Sequence, residues 1–116
     1  MPSWNLRVIE DAPPSANVFL RMHWTARMKL KRLWAWLVLE AGAREVPLAD
    51  GKRCVKVEVR SKGKRDPQNS WTPVDKLIVD NLVRCGALKD DSAEWCDLRV
   101  ITIQGEPRTR IRIESR

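Results

Sequence analysis

Long apolar runs are missing from this chain of 116 residues. The best of them, Leu33 to Ala43, is broken by Glu40 and Gly42, whereas a bilayer-spanning helix needs about 18 to 20 apolar residues. A secretory leader is not expected either, because Met1-Pro2-Ser3-Trp4-Asn5 has no positive segment followed by an apolar one. Cysteine is scarce and odd in number: Cys54, Cys85 and Cys96, with no C-x-x-C pair. That pattern speaks against a disulfide framework or a zinc site and for a reducing, cytoplasmic compartment, with the thiols packed as small hydrophobes. The single histidine, His23, is expected to hydrogen-bond locally. Repeats, low-complexity tracts and linkers are absent too, so residues 1–116 read as one domain.

Positive charge is what the chain has in excess. Lys and Arg outnumber Asp and Glu by 22 to 15, for a net charge of +7. That balance favours a polyanionic partner, nucleic acid before a membrane surface. With 43% hydrophobic and 32% charged residues, the composition is that of a folded domain able to bury a core.

Hydrophobic spacing predicts the elements. Leu6 to Ile9 is a short strand candidate, ended by Pro13-Pro14-Ser15. Thr25 is a candidate cap for a helix to about Ala41, with Leu30, Leu33, Trp34, Leu37, Val38 and Ala41 on one face and Gly42 as its stop. Cys54 to Arg60 alternates apolar and polar residues, as a half-buried strand does. Thr72-Pro73-Val74-Asp75 has the form of a helix start, which predicts a helix from Pro73 to about Cys85 that turns Val74, Leu77, Ile78, Asn81, Leu82 and Cys85 inward and stops at Gly86. Leu98–Ile103 and Arg108–Ile113 are strands joined by Gln104-Gly105-Glu106-Pro107; in the second, Arg108, Arg110 and Arg112 share one face. The order β-α-β-α-β-β predicts an α+β domain, a mixed sheet with two helices on one face.

Between Lys64 and Asp91 lie the residues that can do chemistry. Asp66 follows a strand and the basic loop of Lys62, Lys64 and Arg65; Lys76 and Asp80 are one α-helical turn apart; Asp90 and Asp91 follow the helix stop. Carboxylates gathered from a strand end, a helix face and a following loop, beside lysine and arginine, suit a Mg²⁺ site for phosphodiester hydrolysis, since Mg²⁺ takes one or two protein carboxylates plus water and phosphate oxygens. Lys76 is placed to neutralise charge in the transition state. Asn69 has a simpler use, as a turn residue. Six tryptophans are present. Trp34 is core by periodicity, and Trp71, next to the proposed site, is a candidate for stacking on bases at a branch point. The Arg108, Arg110, Arg112 ladder is expected to contact phosphates.

The string Asp66-Pro67-Gln68-Asn69, Pro73, Lys76-x-x-x-Asp80-x-Leu82, Gly86 and Asp90-Asp91, preceded by Pro13-Pro14-Ser15-x-Asn17, resembles the signature of the RusA family of Holliday-junction resolvases in its phage-like form. The resemblance runs from Pro13 to about Asp91. It implies a homodimer that binds four-way DNA junctions in a bacterial or phage-infected cell and makes paired, symmetric nicks with Mg²⁺ or Mn²⁺. Asp66, Lys76 and Asp91 match the family's catalytic residues; Asp66, Gln68, Asp90 and Asp91 are the implied metal ligands, with Asn69 and Asp80 in support. The chain departs from the pattern at Gln68, where the family is acidic, and in a gap from Asn69 to Lys76 longer by about one helical turn. An amide ligates through oxygen but brings no charge. Three functions therefore stand at this point: a junction-resolving endonuclease, a junction-binding protein that does not cut, and a nuclease of the same fold for other branched intermediates.

Overall fold

Alternation in two strands and helical periodicity in two long segments meet at a single buried layer. The computed structural model describes residues 2–115. In chain order the elements are β1 (Ser3–Asn5), α1 (Ala16–Arg21), α2 (Trp24–Glu40), a 3₁₀ turn (Ala43–Glu45), β2 (Arg53–Ser61), α3 (Gln68–Val74), a π-helical turn (Asp75–Val79), α4 (Asp80–Arg84), β3 (Cys96–Gln104) and β4 (Arg108–Ser115). The four strands form one mixed sheet in the order β1-β4-β2-β3. β2 is its centre, parallel to β3 through Arg53↔Cys96 to Ser61↔Gln104 and antiparallel to β4 through Arg53↔Ser115 to Arg60↔Arg108. The fold is α+β, as the sequence predicts.

The sheet buries one face. Val55, Val57 and Val59 of β2 and Thr109, Ile111 and Ile113 of β4 are buried, while Lys56, Glu58 and Arg60 of β2 and Arg108, Arg110 and Arg112 of β4, which alternate with them, are not; Cys54, at the start of β2, is buried as well. Against this face pack Trp34 and Val38 of α2, Ala41 just after it, and Val74, Leu77, Ile78 and Leu82 of the later helical rod, all buried. Trp34 is fully enclosed. Trp34→Ala is expected to cost about 3–5 kcal/mol, read as a large drop in the midpoint of thermal or urea unfolding; a loss under about 1 kcal/mol would mean the layer does not close around this ring. Arg53, buried at the start of β2, donates to the carbonyls of Pro47 (2.6 Å) and Ala87 (2.9 Å) and lies 4.5 Å from the centre of the Trp4 ring. It ties β1 and both flanking loops to the sheet.

Several predicted boundaries move, each for a local reason. The first strand is Ser3–Asn5, paired with Arg112 to Glu114, instead of Leu6–Ile9. Leu6 and Ile9 still donate to Ile111 and Thr109, but Arg7 between them donates to Ala41, so the ladder is interrupted. The Pro-Pro-Ser loop leads into a helix the spacing did not show, α1, with the Ser15 hydroxyl accepting from the Val18 N–H. α2 begins at Trp24; its cap is His23, whose Nδ1 accepts from the Thr25 N–H, so the expected local bond of the histidine is there while Thr25 is not the cap. Leu33, expected in the core, is 43% exposed. Gln104–Pro107 does connect β3 to β4, but across the end of β2, where Gly105 N–H donates to Ser61 O.

The helix expected to begin at Pro73 begins at Gln68, with Pro73 inside it. Asp66 starts it: the Asn69 N–H donates to its side chain at 2.8 Å and to its carbonyl at 3.2 Å. Pro73 has no N–H to give the Asn69 carbonyl, so the α-helical ladder is already interrupted there. The rod then widens, and the Asp80 N–H donates to Asp75 O, five residues back. Gly86, at φ +84°, ends it in the left-handed region that favours glycine.

Candidate metal centre

The wide turn sets the geometry of the site. Residues five apart stand about 140° apart around a regular α-helix, on different sides. The i→i+5 turn between Asp75 and Asp80 closes that angle and puts both carboxylates on one side; such π turns are frequent at functional sites. A third comes from the loop after Gly86. Oxygens of Asp75, Asp80 and Asp91 lie within 4.8 Å of one another. The loop is held in place by Leu88 N–H to Leu82 O, by the Trp95 and Cys96 N–H groups on Ser92 O, and by Lys89 over the Trp95 ring at 4.5 Å. Asp75 also faces a cleft of about 410 Å³ lined by Trp71, Asp91, Cys96 and Leu98.

The trio concentrates negative charge at the edge of the cleft. Burial raises the Asp75 carboxyl above its ordinary range; Lys76 opposes this, and the like charges of Asp80 and Asp91 add to it. The Lys76 ammonium is 4.0 Å from Asp75. Cys96, on β3 beside the trio, is pushed up to about 11 by burial first and then by nearby acids, so it stays a neutral thiol. The donor set is hard oxygen throughout, which fits Mg²⁺ or Mn²⁺.

Because the folded state raises the Asp75 pKa, ionising this group costs stability. The cost is absent below the unfolded pKa, grows as pH rises toward the folded pKa, and is full above it. Asp75→Asn is therefore expected to raise the thermal midpoint at neutral pH in the absence of metal, with the gain fading as pH falls through the carboxylate range. Adding Mg²⁺ should raise the midpoint of the natural protein and do little for the variant. A variant less stable at neutral pH, together with a natural protein indifferent to Mg²⁺, would mean these carboxylates neither repel one another nor share a cation.

The sequence-predicted residues separate into groups. Asp80 and Asp91 converge with Asp75, and Lys76 is 4.0 Å from the Asp75 carboxylate. Asp66 and Gln68 do not join them: Asp66 caps α3, and Gln68 is its first residue, exposed, seven residues before Asp75, or about 10 Å of helix axis. Asn69 uses its N–H on Asp66. Asp90 is exposed and outside the trio. Lys62 and Lys64 are exposed on the loop before the helix, and Arg65 donates to Pro13 O at 2.8 Å. Arg108, Arg110 and Arg112 are on the outer face of the sheet, opposite the helices, and two of them are already paired, Arg108 with Glu10 (3.1 Å) and Arg112 with Glu114 (2.9 Å). The helical rod that carries the trio packs on the other face of the sheet.

Asp75 is the residue that sequence reasoning missed. Spacing by fours pairs Lys76 with Asp80 and leaves Asp75 as a helix-start residue. A proline inside the run was the one available sign that the period changes there. No family model matches the chain, and a search of curated proteins finds no match. Among the described residues no helix is long and apolar enough to cross a membrane.

Proposed function

We propose that this chain is a Mg²⁺-dependent endonuclease that nicks branched DNA, four-way junctions first, and that it works as a homodimer in the cytoplasm of a bacterial or phage-infected cell. The observation that carries the reading is the meeting of Asp75, Asp80 and Asp91 within 4.8 Å, beside Lys76. Two of the three carboxylates, and the lysine, belong to the Lys76-x-x-x-Asp80, Gly86, Asp90-Asp91 pattern that resembles RusA-type resolvases. The net charge of +7 agrees with a DNA partner.

In this reading Asp75, Asp80 and Asp91 hold the cation and orient it toward the cleft. Mg²⁺ bound there would polarise a scissile phosphate and lower the pKa of an attacking water. Lys76 supplies a positive charge next to the oxygens on which negative charge develops. A two-fold dimer would present one such site to each of two equivalent strands of a junction. Gln68 motivated the alternative of a protein that binds junctions without cutting. With residue 68 two turns from Asp75, its missing charge does not weaken the trio, and cutting is the favoured reading. The test is metal-dependent nicking of a synthetic four-way junction beside forks, flaps and linear duplex. Cutting of the junction alone supports resolution, equal cutting of all branched forms supports the broader nuclease, and tight binding without cutting supports the alternative.

A further inference from the structure

Trp71 is the cleft residue that the metal reading leaves unused. It stands one helical turn before Asp75, so the two side chains share a face of the rod. The residue is 45% exposed and forms part of the wall of the cleft that Asp75 and Asp91 also line. Among the described residues Trp4 is covered by Arg53, Trp95 by Lys89, and Trp24 has His23 at its side. Trp71 has no such ring or cation partner. Trp36 is exposed as well, but it lies on α2 in a groove that holds none of the three carboxylates.

We propose that Trp71 is a stacking platform for an unpaired or unstacked base next to the scissile phosphate, and that it gives the protein its preference for branch points over continuous duplex. The proposal rests on the nuclease reading above. Its physical basis is a difference between substrates. Inside a duplex each base already has both faces covered by its neighbours, so an indole gains nothing without first unstacking one. At a branch point a base face is open, and stacking on an aromatic side chain is gained at no such cost. A platform beside the metal therefore adds affinity for the branched form only, and places the adjoining phosphate near the carboxylates.

The experiment measures binding of the natural protein, Trp71→Ala and Trp71→Phe to a labelled four-way junction and to a linear duplex of equal length, by fluorescence anisotropy in EDTA so that nothing is cut. A stacked base is worth enough that Trp71→Ala should lose about tenfold in junction affinity while its duplex affinity stays the same, which also shows that the variant is folded. Trp71→Phe keeps a ring and should keep most of the preference. A 2-aminopurine at the branch point should be quenched by the natural protein and not by Trp71→Ala. Equal losses on both DNAs, no loss on either, or a phenylalanine variant as poor as the alanine one would overturn the proposal, as would a natural protein without junction preference. The readout does not need catalysis. A protein with this preference that fails to nick in Mg²⁺ would sink the nuclease reading and leave the platform standing, whereas nicking with the preference intact in Trp71→Ala would do the reverse.

Discussion

Asp91→Asn is expected to lower Mg²⁺-dependent nicking of a four-way junction by roughly 10²- to 10³-fold, the usual effect of removing one charge-stabilising group from a reaction centre. Asp75→Asn should do the same. Junction binding should be unchanged or tighter in both, because each change removes a negative charge facing the phosphate. Asp66→Asn is the informative contrast. Asparagine caps a helix about as well as aspartate, so the bond from the Asn69 N–H is kept while the charge is lost. With its carboxylate engaged at the start of α3, Asp66→Asn should cost far less nicking than Asp91→Asn. Rate measurements at saturating junction distinguish these outcomes. Full activity in Asp75→Asn and Asp91→Asn, with none in Asp66→Asn, would move the metal from the π turn to the start of the helix.

DNA binding should fall steeply with salt. If a dimer neutralises about six to ten phosphates, affinity should drop by roughly 10³ to 10⁵ between about 50 and 200 mM salt. Under the proposed function, exposed lysines on the helical side are expected to set that slope. Lys62 and Lys64 are exposed on the loop that leads into α3, and Lys76 is exposed on the same rod as Asp75 and Asp80. Neutralising Lys62 or Lys64 should reduce the slope by about one for each phosphate no longer neutralised. Arg110 is on the outer face of the sheet, away from the helices, between two strand-mates already paired with acids, and Arg110→Gln should leave the slope nearly unchanged. A flat salt response, or a slope that depends on Arg110 and not on the lysines, would put the DNA on the other face of the molecule.

What could be read in the sequence was what depends on regular periods. Alternation in Val55, Val57 and Val59 and in Thr109, Ile111 and Ile113 marked the buried face of the sheet, and of the residues expected inward on the later helix Val74, Leu77, Ile78, Asn81 and Leu82 are buried while Cys85 is half-buried. What could not be read depends on partners far away in the chain or on irregular backbone. The first strand is placed by its pairing with β4 and by the diversion of Arg7 to Ala41. The position of β2 between β3 and β4 follows from long-range pairing, which a short β3–β4 connection hides. The start of α3 is set by Asp66, while Thr72-Pro73 imitates a helix start in the middle of a helix. Asp80 and Asp91 were named from the sequence by their order and spacing after Lys76 and Gly86. Asp75 was not, because only a turn of five residues brings it to Asp80.

At the heart of the proposed function are three carboxylates, on a wide helical turn and its following loop, that hold a metal for cutting DNA. The decisive measurement incubates the natural protein with an end-labelled four-way junction in Mg²⁺, in Mn²⁺ and in EDTA, and resolves the strands on a denaturing gel. Paired, symmetric nicks are expected with either metal, none in EDTA, and a deep loss of nicking with Asp75→Asn in Mg²⁺. Nicks that persist in EDTA, or an intact junction at protein concentrations that bind it fully in Mg²⁺ and Mn²⁺, would contradict a metal-dependent nuclease.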